Sequence, residues 1–246
     1  MKVGTDGVLL GAWATVSPDD RRALDVGTGT GLIALILAQR SAALVSSPAA
    51  EMGILGIDID PAAAGEAAEN FAASPWADRL SALPMSLQDF TAKWEQNPAV
   101  SFPNHAPETQ TGTNTPDFVP EYFFDVIVSN PPFFAADVAA PDARRSAARQ
   151  CGSLPPSELL AAARLLLSPS GRLAVIYPPE EAAAFRLEAE SAGLYLSRQT
   201  RVITTPGQPP KRLLMEFTRT PGLPHFDDLI LDSPACRNLT ADFYLD

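Results

Sequence analysis

The chain has 246 residues, 46% of them hydrophobic, and a formal charge of −11, which fits one α/β domain of ordinary size with a sizeable core. The acidic balance argues against a protein that coats nucleic acid indiscriminately, because such binding rests on many Lys and Arg contacts to phosphate, but it leaves room for a local basic site. Two cysteines and two histidines without ligand spacing exclude a disulfide framework and make a metal site unexpected, and the apolar stretches are too short to span a bilayer.

Val8, Leu9, Ala12 and Trp13 recur at helical intervals in the opening segment, with Thr5 or Asp6 placed to cap the helix. Gly7 to Val16 has the apolar character of a signal core, yet Asp6 precedes it, so the segment reads as mature, cytoplasmic structure. Residues 22–27 form a first strand and 30–40 its helix, joined through Gly27, Gly29 and Gly31 without a spacer. Met52 to Asp60 is an apolar strand ending in two carboxylates; Pro61 then opens a helix to Ala73, with Asp60 as its N-cap. A third strand lies around 79–86 and runs into Ser86-Leu87-Gln88-Asp89-Phe90. Residues 96–121, rich in Pro, Asn and Thr and without periodicity, read as a solvated insertion.

Phe123 to Ser129 is a buried strand that ends in Asn130-Pro131-Pro132-Phe133-Phe134. Pro155 to Leu167 is helical, Leu173 to Tyr177 is a strand, and a helix over 180–192 stops at Gly193. Residues 194–204 and 211–219 form two strands joined by a short Pro-rich connection. Strands alternating with helices predict an α/β, doubly wound, mostly parallel seven-stranded sheet of Rossmann-like type, with an antiparallel pair at one edge, in a single domain over 1–246.

In such a sheet ligands sit outside the carboxyl ends of the strands, where the strand order reverses. Glycines at a strand-to-helix turn let a ligand approach the backbone, and the free N–H groups of the helix favour an electronegative group. Asp58, twenty-seven residues beyond Gly31, stands where a carboxylate accepts both hydroxyls of a ribose. Asp89 could accept from an adenine amino group, or serve as a cap acid. The spacing of Gly27, Gly29 and Gly31 departs from the G-x-G-x-x-G of a pyrophosphate turn, and Asp25 ahead of them would repel a pyrophosphate but suit a sulfonium. S-adenosylmethionine is therefore favoured over NAD.

Asn130-Pro131-Pro132-Phe133 is the most specific feature. Two prolines fix φ, so the Asn130 side-chain oxygen and the Pro131 carbonyl are held to accept the two hydrogens of a planar exocyclic amine. Phe133, with Phe134 as a lesser candidate, would stack on a flipped base. Arg144, Arg145 and Arg149 follow this turn, and Arg198, Arg201, Lys211 and Arg212 populate an acid-free segment; both clusters are candidate phosphate contacts. A nicotinamide oxidoreductase is disfavoured by the glycine spacing. A non-catalytic binding protein stays open.

These residues resemble the bacterial family of tRNA adenine-N6 methyltransferases that modify the adenine next to the anticodon of valine tRNA. The likeness runs through Met1 to Trp13, Asp25 to Leu32, Gly56 to Asp60, Ser74-Pro75-Trp76, Asn130 to Phe133, Arg145 to Arg149 and Lys211-Arg212. It implies a class I methyltransferase fold. It also implies cofactor contacts from Thr5, Asp6, the glycine turn, Asp58 and Asp89, and a substrate amine held at Asn130 and Pro131. The implied partner is tRNA, without metal or membrane, and a monomer is expected. The glycine turn and the Asn-Pro-Pro-aromatic run also resemble amino-group methyltransferases acting on rRNA guanine N2 or a protein glutamine, which remain the alternative. Members of the family carry a short aromatic and basic stretch upstream of the Met1 segment, so the sequence is expected to begin inside the family's usual length.

Overall fold

A computed structural model of the chain describes residues 4–44, 52–96, 123–132 and 154–243. The elements run α1 (Thr5–Trp13), β1 (Arg22–Val26), α2 (Leu32–Ala42), β2 (Gly53–Asp58), α3 (Pro61–Ala72), a 3-10 turn (Ala77–Arg79), β3 (Leu80–Pro84) and α4 (Leu87–Gln96). Then follow β4 (Phe124–Ser129), α5 (Pro156–Leu166), β5 (Leu167–Tyr177), α6 (Pro179–Ser191), β6 (Tyr195–Ile203), β7 (Arg212–Thr218), β8 (His225–Ile230) and α7 (Pro234–Thr240). They build one eight-stranded sheet in the order β3-β2-β1-β4-β5-β7-β6-β8. β1 to β5 pair in parallel, β7 runs antiparallel between β5 and β6, and β8 lies parallel to β6. The chain leaves β1 for β2 and β3 on one side and reaches β4 on the other, so the switch point lies between the ends of β1 and β4.

Alternate residues of each strand face opposite sides of the sheet. Leu24, Val26 and Ile127 join a buried cluster with Phe90 and Trp94 of α4 and Leu160 of α5; Ala23, Val126 and Val128 join another with Leu9, Trp13 and Leu37 of α1 and α2. With both faces covered, β1, β2 and β4 are buried along most of their length and largely apolar instead of alternating, Asp25 being the buried acidic exception. α3 follows its sequence signals: Asp60 accepts from the Ala62 N–H at 2.9 Å and Pro61 occupies the first turn.

The sheet departs from expectation at its edge, where it has eight strands instead of seven and the antiparallel pair stands one strand in from the margin. β8 carries His225, Asp227 and Asp228 among six residues, a weak strand signal on its own. Its pairing to β6 is completed by Arg201, which donates to Asp228 at 2.6 and 2.7 Å. A second departure is α4: Leu87 to Phe90 was expected to continue a strand end but forms the first turn of a helix, burying Leu87, Phe90 and Trp94 at helical spacing. The Ser86 hydroxyl accepts from the Asp89 N–H at 3.0 Å and donates to the Asp89 carboxylate at 2.8 Å, which fixes that helix start. At α1 the cap position is Gly4 and no side chain caps the helix, so neither Thr5 nor Asp6 plays that part. Among the described residues no helix is long and apolar enough to cross a membrane.

Candidate active site

Between β1 and α2 the chain makes a turn in which Gly27, Gly29 and Gly31 all take positive φ, at 72°, 56° and 83°. The turn is tied to β2. The Gly27 and Thr28 N–H groups donate to the Ile57 carbonyl at 2.9 and 3.0 Å, and the Gly29 N–H donates to the Asp58 carboxylate at 2.8 Å. A Cβ on Gly31 would stand 2.4 Å from the ring of the buried Phe71, whereas a Cβ on Gly27 would meet nothing within 4 Å. Packing therefore demands glycine at 31, and open space lies over Gly27.

That space is part of a cavity of about 230 Å³ over the ends of β1, β2 and β4. Val26 and Gly27 form one wall, Asp58 and Ile59 a second, Met85 to Gln88 a third, and Ser129 to Pro132 with Leu154 a fourth. Each Asp58 oxygen already accepts one backbone N–H, from Gly29 at 2.8 Å and from Asp60 at 2.9 Å. Each retains a further lone pair for a diol. Asn130 is half-buried beside the buried Pro131, and among the described residues no hydrogen bond engages its side-chain amide. The cavity thus brings an acceptor pair at Asp58 and an acceptor pair at Asn130 and Pro131 to opposite walls, with an open backbone turn between them. An adenosine carrying a sulfonium side chain matches that set: Asp58 for its diol, the vacant face of Gly27 for its backbone approach.

Asp25 is not among the residues lining the cavity. Its side chain shares the strand face of Ala23 and is wholly buried; one oxygen accepts from the Thr28 hydroxyl at 2.8 Å and the other has no hydrogen-bond partner. Burial lifts its carboxyl from 3.8 to about 7; the Thr28 hydroxyl opposes that rise and the Asp58 charge adds to it. The acid facing the cavity is Asp58, while Asp25 supports the turn from beneath.

The other expected site residues are distributed as follows. Asp89 is held by Ser86 at the start of α4 and does not line the cavity. Asp6, in the first turn of α1, accepts from Arg212 Nε at 2.8 Å, so these two candidates neutralise each other. Thr5, beside Asp6, is exposed. Arg201 is spent on Asp228, and Arg198 lies over the Trp13 ring at 4.3 Å. Lys211 is exposed, has no ion pair among the described residues, and adjoins the carboxyl end of β5 through the pairing of Leu213 with Tyr177. Phe133, Phe134, Arg144, Arg145 and Arg149 lie outside the described residues, as does most of the 96–121 insertion. Sequence reasoning missed Ile59, Met85, Gln88 and Leu154. Ile59 alone carried a signal, an apolar residue between two acids that stays 54% exposed.

No model of a known protein family matches the chain. Curated relatives do. A protein of Bacteroides fragilis named tRNA1(Val) (adenine(37)-N6)-methyltransferase is 42% identical, covering 89% of this chain and 77% of that one. Proteins of the same name from Flavobacterium johnsoniae, 39% identical over 100% of this chain and 93% of that one, and from Porphyromonas gingivalis, 41% identical over 99% and 89%, agree. The chain belongs to the tRNA1(Val) (adenine(37)-N6)-methyltransferase family. Among solved structures, a predicted O-methyltransferase of Agrobacterium tumefaciens superposes with a TM-score of 0.63 at 15% identity over 96% of both chains. That likeness shows the α/β fold, a fold whose ligands sit outside the carboxyl ends of the strands at the switch point.

Proposed function

We propose that the chain transfers a methyl group from S-adenosylmethionine to the exocyclic N6 of an adenine in tRNA, the valine tRNA adenine beside the anticodon. The reading rests most on one observation: Asp58, the open face of Gly27 and the Asn130-Pro131 acceptors line a single cavity at the switch point. Relatives at 42% identity carrying that activity in their name support it.

The bound cofactor supplies an electrophilic methyl group on a sulfonium. Asp58 holds the ribose through its two free lone pairs, and the glycine turn admits the ligand against the backbone. The Asn130 side-chain oxygen and the Pro131 carbonyl would each accept one N6 hydrogen, which draws the amine toward sp³ character and aims its lone pair; once the N–CH3 bond replaces the S–CH3 bond, N6 sheds one of these protons to water. Catalysis then comes from orientation, and no strong base is needed. Phe133 stacks on the flipped adenine, and Lys211 with Arg144, Arg145 and Arg149 contacts phosphates. A tRNA substrate puts the work in the cytoplasm.

Tritiated methyl transfer to bulk tRNA, rRNA and release factor separates the substrates. Label confined to tRNA and recovered as N6-methyladenosine is expected. Label on rRNA guanine or on a glutamine side chain in its place would transfer the same chemistry to another amine.

A further inference from the structure

Ser129 is the last residue of β4 and directly precedes Asn130. Its side chain is fully buried, and its hydroxyl donates to the Val26 carbonyl at 2.9 Å. Val26 pairs with Ser129 across the parallel β1–β4 ladder and directly precedes Gly27. The bond therefore joins the residue before the cofactor turn to the residue before the amine-binding turn. All four residues, Val26, Gly27, Ser129 and Asn130, line the same cavity. On the far side the glycine turn is held by β2, through the Ile57 carbonyl and the Asp58 carboxylate. On the β4 side the link comes from a side chain. Backbone ladders fix how two strands run, but at their last residues each chain leaves the sheet into its own turn, and a residue-to-residue tie there sets the offset between the two turns.

We infer that Ser129 is a positioning residue that fixes the distance between the methyl donor over Gly27 and the amine held at Asn130. This rests on the methyltransferase reading above and adds to it a residue whose hydroxyl is spent on the Val26 carbonyl. Methyl transfer requires donor and acceptor atoms near contact and in line, and displacements of about 1 Å cost on the order of a hundredfold in rate. A cofactor anchored by Asp58 and the glycine turn does not feel that offset in its own binding. The signature of the role is thus a loss in kcat without a matching loss in cofactor affinity.

The test compares wild type with Ser129→Ala and Ser129→Thr. Single-turnover methyl transfer to tRNA is read beside calorimetric binding of S-adenosylhomocysteine. Ser129→Ala should lose about tenfold or more in the transfer rate while binding the product cofactor within about twofold of wild type, and Ser129→Thr, which keeps the hydroxyl, should regain most of the rate. A wild-type rate in Ser129→Ala, or a loss of cofactor affinity as large as the loss of rate, overturns the inference. If circular dichroism shows Ser129→Ala unfolded, Ser129→Cys, of similar shape with a weaker donor, is judged on the same two criteria. A wild-type enzyme silent on tRNA but active on another amine refutes the proposed substrate; the Ser129 comparison is then run on that amine.

Discussion

Gly31→Ala is the perturbation whose consequence the structure determines most fully. The residue sits at φ 83°, and its new Cβ would stand 2.4 Å from Phe71 Cε1 and 2.9 Å from Cζ. The left-handed backbone costs a Cβ-bearing residue about 1–2 kcal/mol. Phe71 is 2% exposed and packed beneath α2 in the buried cluster, so it cannot swing aside, and overpacking adds about 1–3 kcal/mol. The sum is about 2–5 kcal/mol. Gly27→Ala provides the control, since it has φ 72° and nothing within 4 Å of its Cβ, and should cost only the backbone part of about 1–2 kcal/mol. Urea unfolding at constant m-value measures both. In a Gly31→Ala/Phe71→Leu double variant the smaller side chain should recover part of the loss, giving a coupling of about 1 kcal/mol or more. Equal destabilisation by the two alanines, or strict additivity with Phe71→Leu, would refute the steric account of the turn.

Asp25 makes folding pH-dependent. Its carboxyl titrates near 7 in the folded chain against 3.8 unfolded, so the folded state binds the proton more tightly and stability is lost as pH rises from about 4 to about 7. At about 1.4 kcal/mol per unit the full effect is on the order of 4 kcal/mol. Asp25→Asn should therefore gain on wild type across that window and level off above it; a difference independent of pH speaks against a neutral buried carboxyl. Arg172 donates to the buried Asp20, and Arg172→Ala, leaving that acid with the Ser17 N–H but without its cationic partner, should cost about 3–5 kcal/mol in thermal or denaturant unfolding. Asp20→Asn added to it should restore part of that, and a purely additive pair would argue against a charge effect. Asp58→Ala removes the acceptor of the Gly29 N–H as well as the proposed ribose contact, so S-adenosylhomocysteine affinity should fall by about tenfold or more in calorimetry. Unchanged affinity would move the cofactor elsewhere.

Much of this architecture is legible from residue order because both faces of the central sheet are covered. Ile54 to Ile57 and Val126 to Val128 are apolar throughout and Ala23 to Val26 is broken only by Asp25, and such runs are recognisable without a partner in view. The glycine turn and the Asp60 cap are equally local, since backbone sterics and a side chain two residues away decide them. β8 was not legible, because its register depends on β6 and its charges are balanced by Arg201 from another strand. α4 was hidden by the same kind of context, since the burial of Phe90 and Trp94 against Phe124 is a contact between distant segments. Within the site, residue type identified Asp58 and Asn130, which face the cavity, but could not separate them from Asp25, which lies one strand face away. Charge alone likewise marked Arg212, Arg201 and Arg198 as ligand contacts. Their partners Asp6, Asp228 and Trp13 are remote in sequence, and among the described residues pairing leaves Lys211 as the basic residue of that segment without an ion pair.

The division of labour between the two walls of the cavity is tested most directly by Asn130→Ala. Single-turnover transfer of tritiated methyl to tRNA, measured beside S-adenosylhomocysteine binding, should show a rate about a hundredfold below wild type with cofactor affinity within about twofold. An Asn130→Ala enzyme that methylates tRNA at the wild-type rate would contradict the assignment of the amine to the Asn130-Pro131 turn.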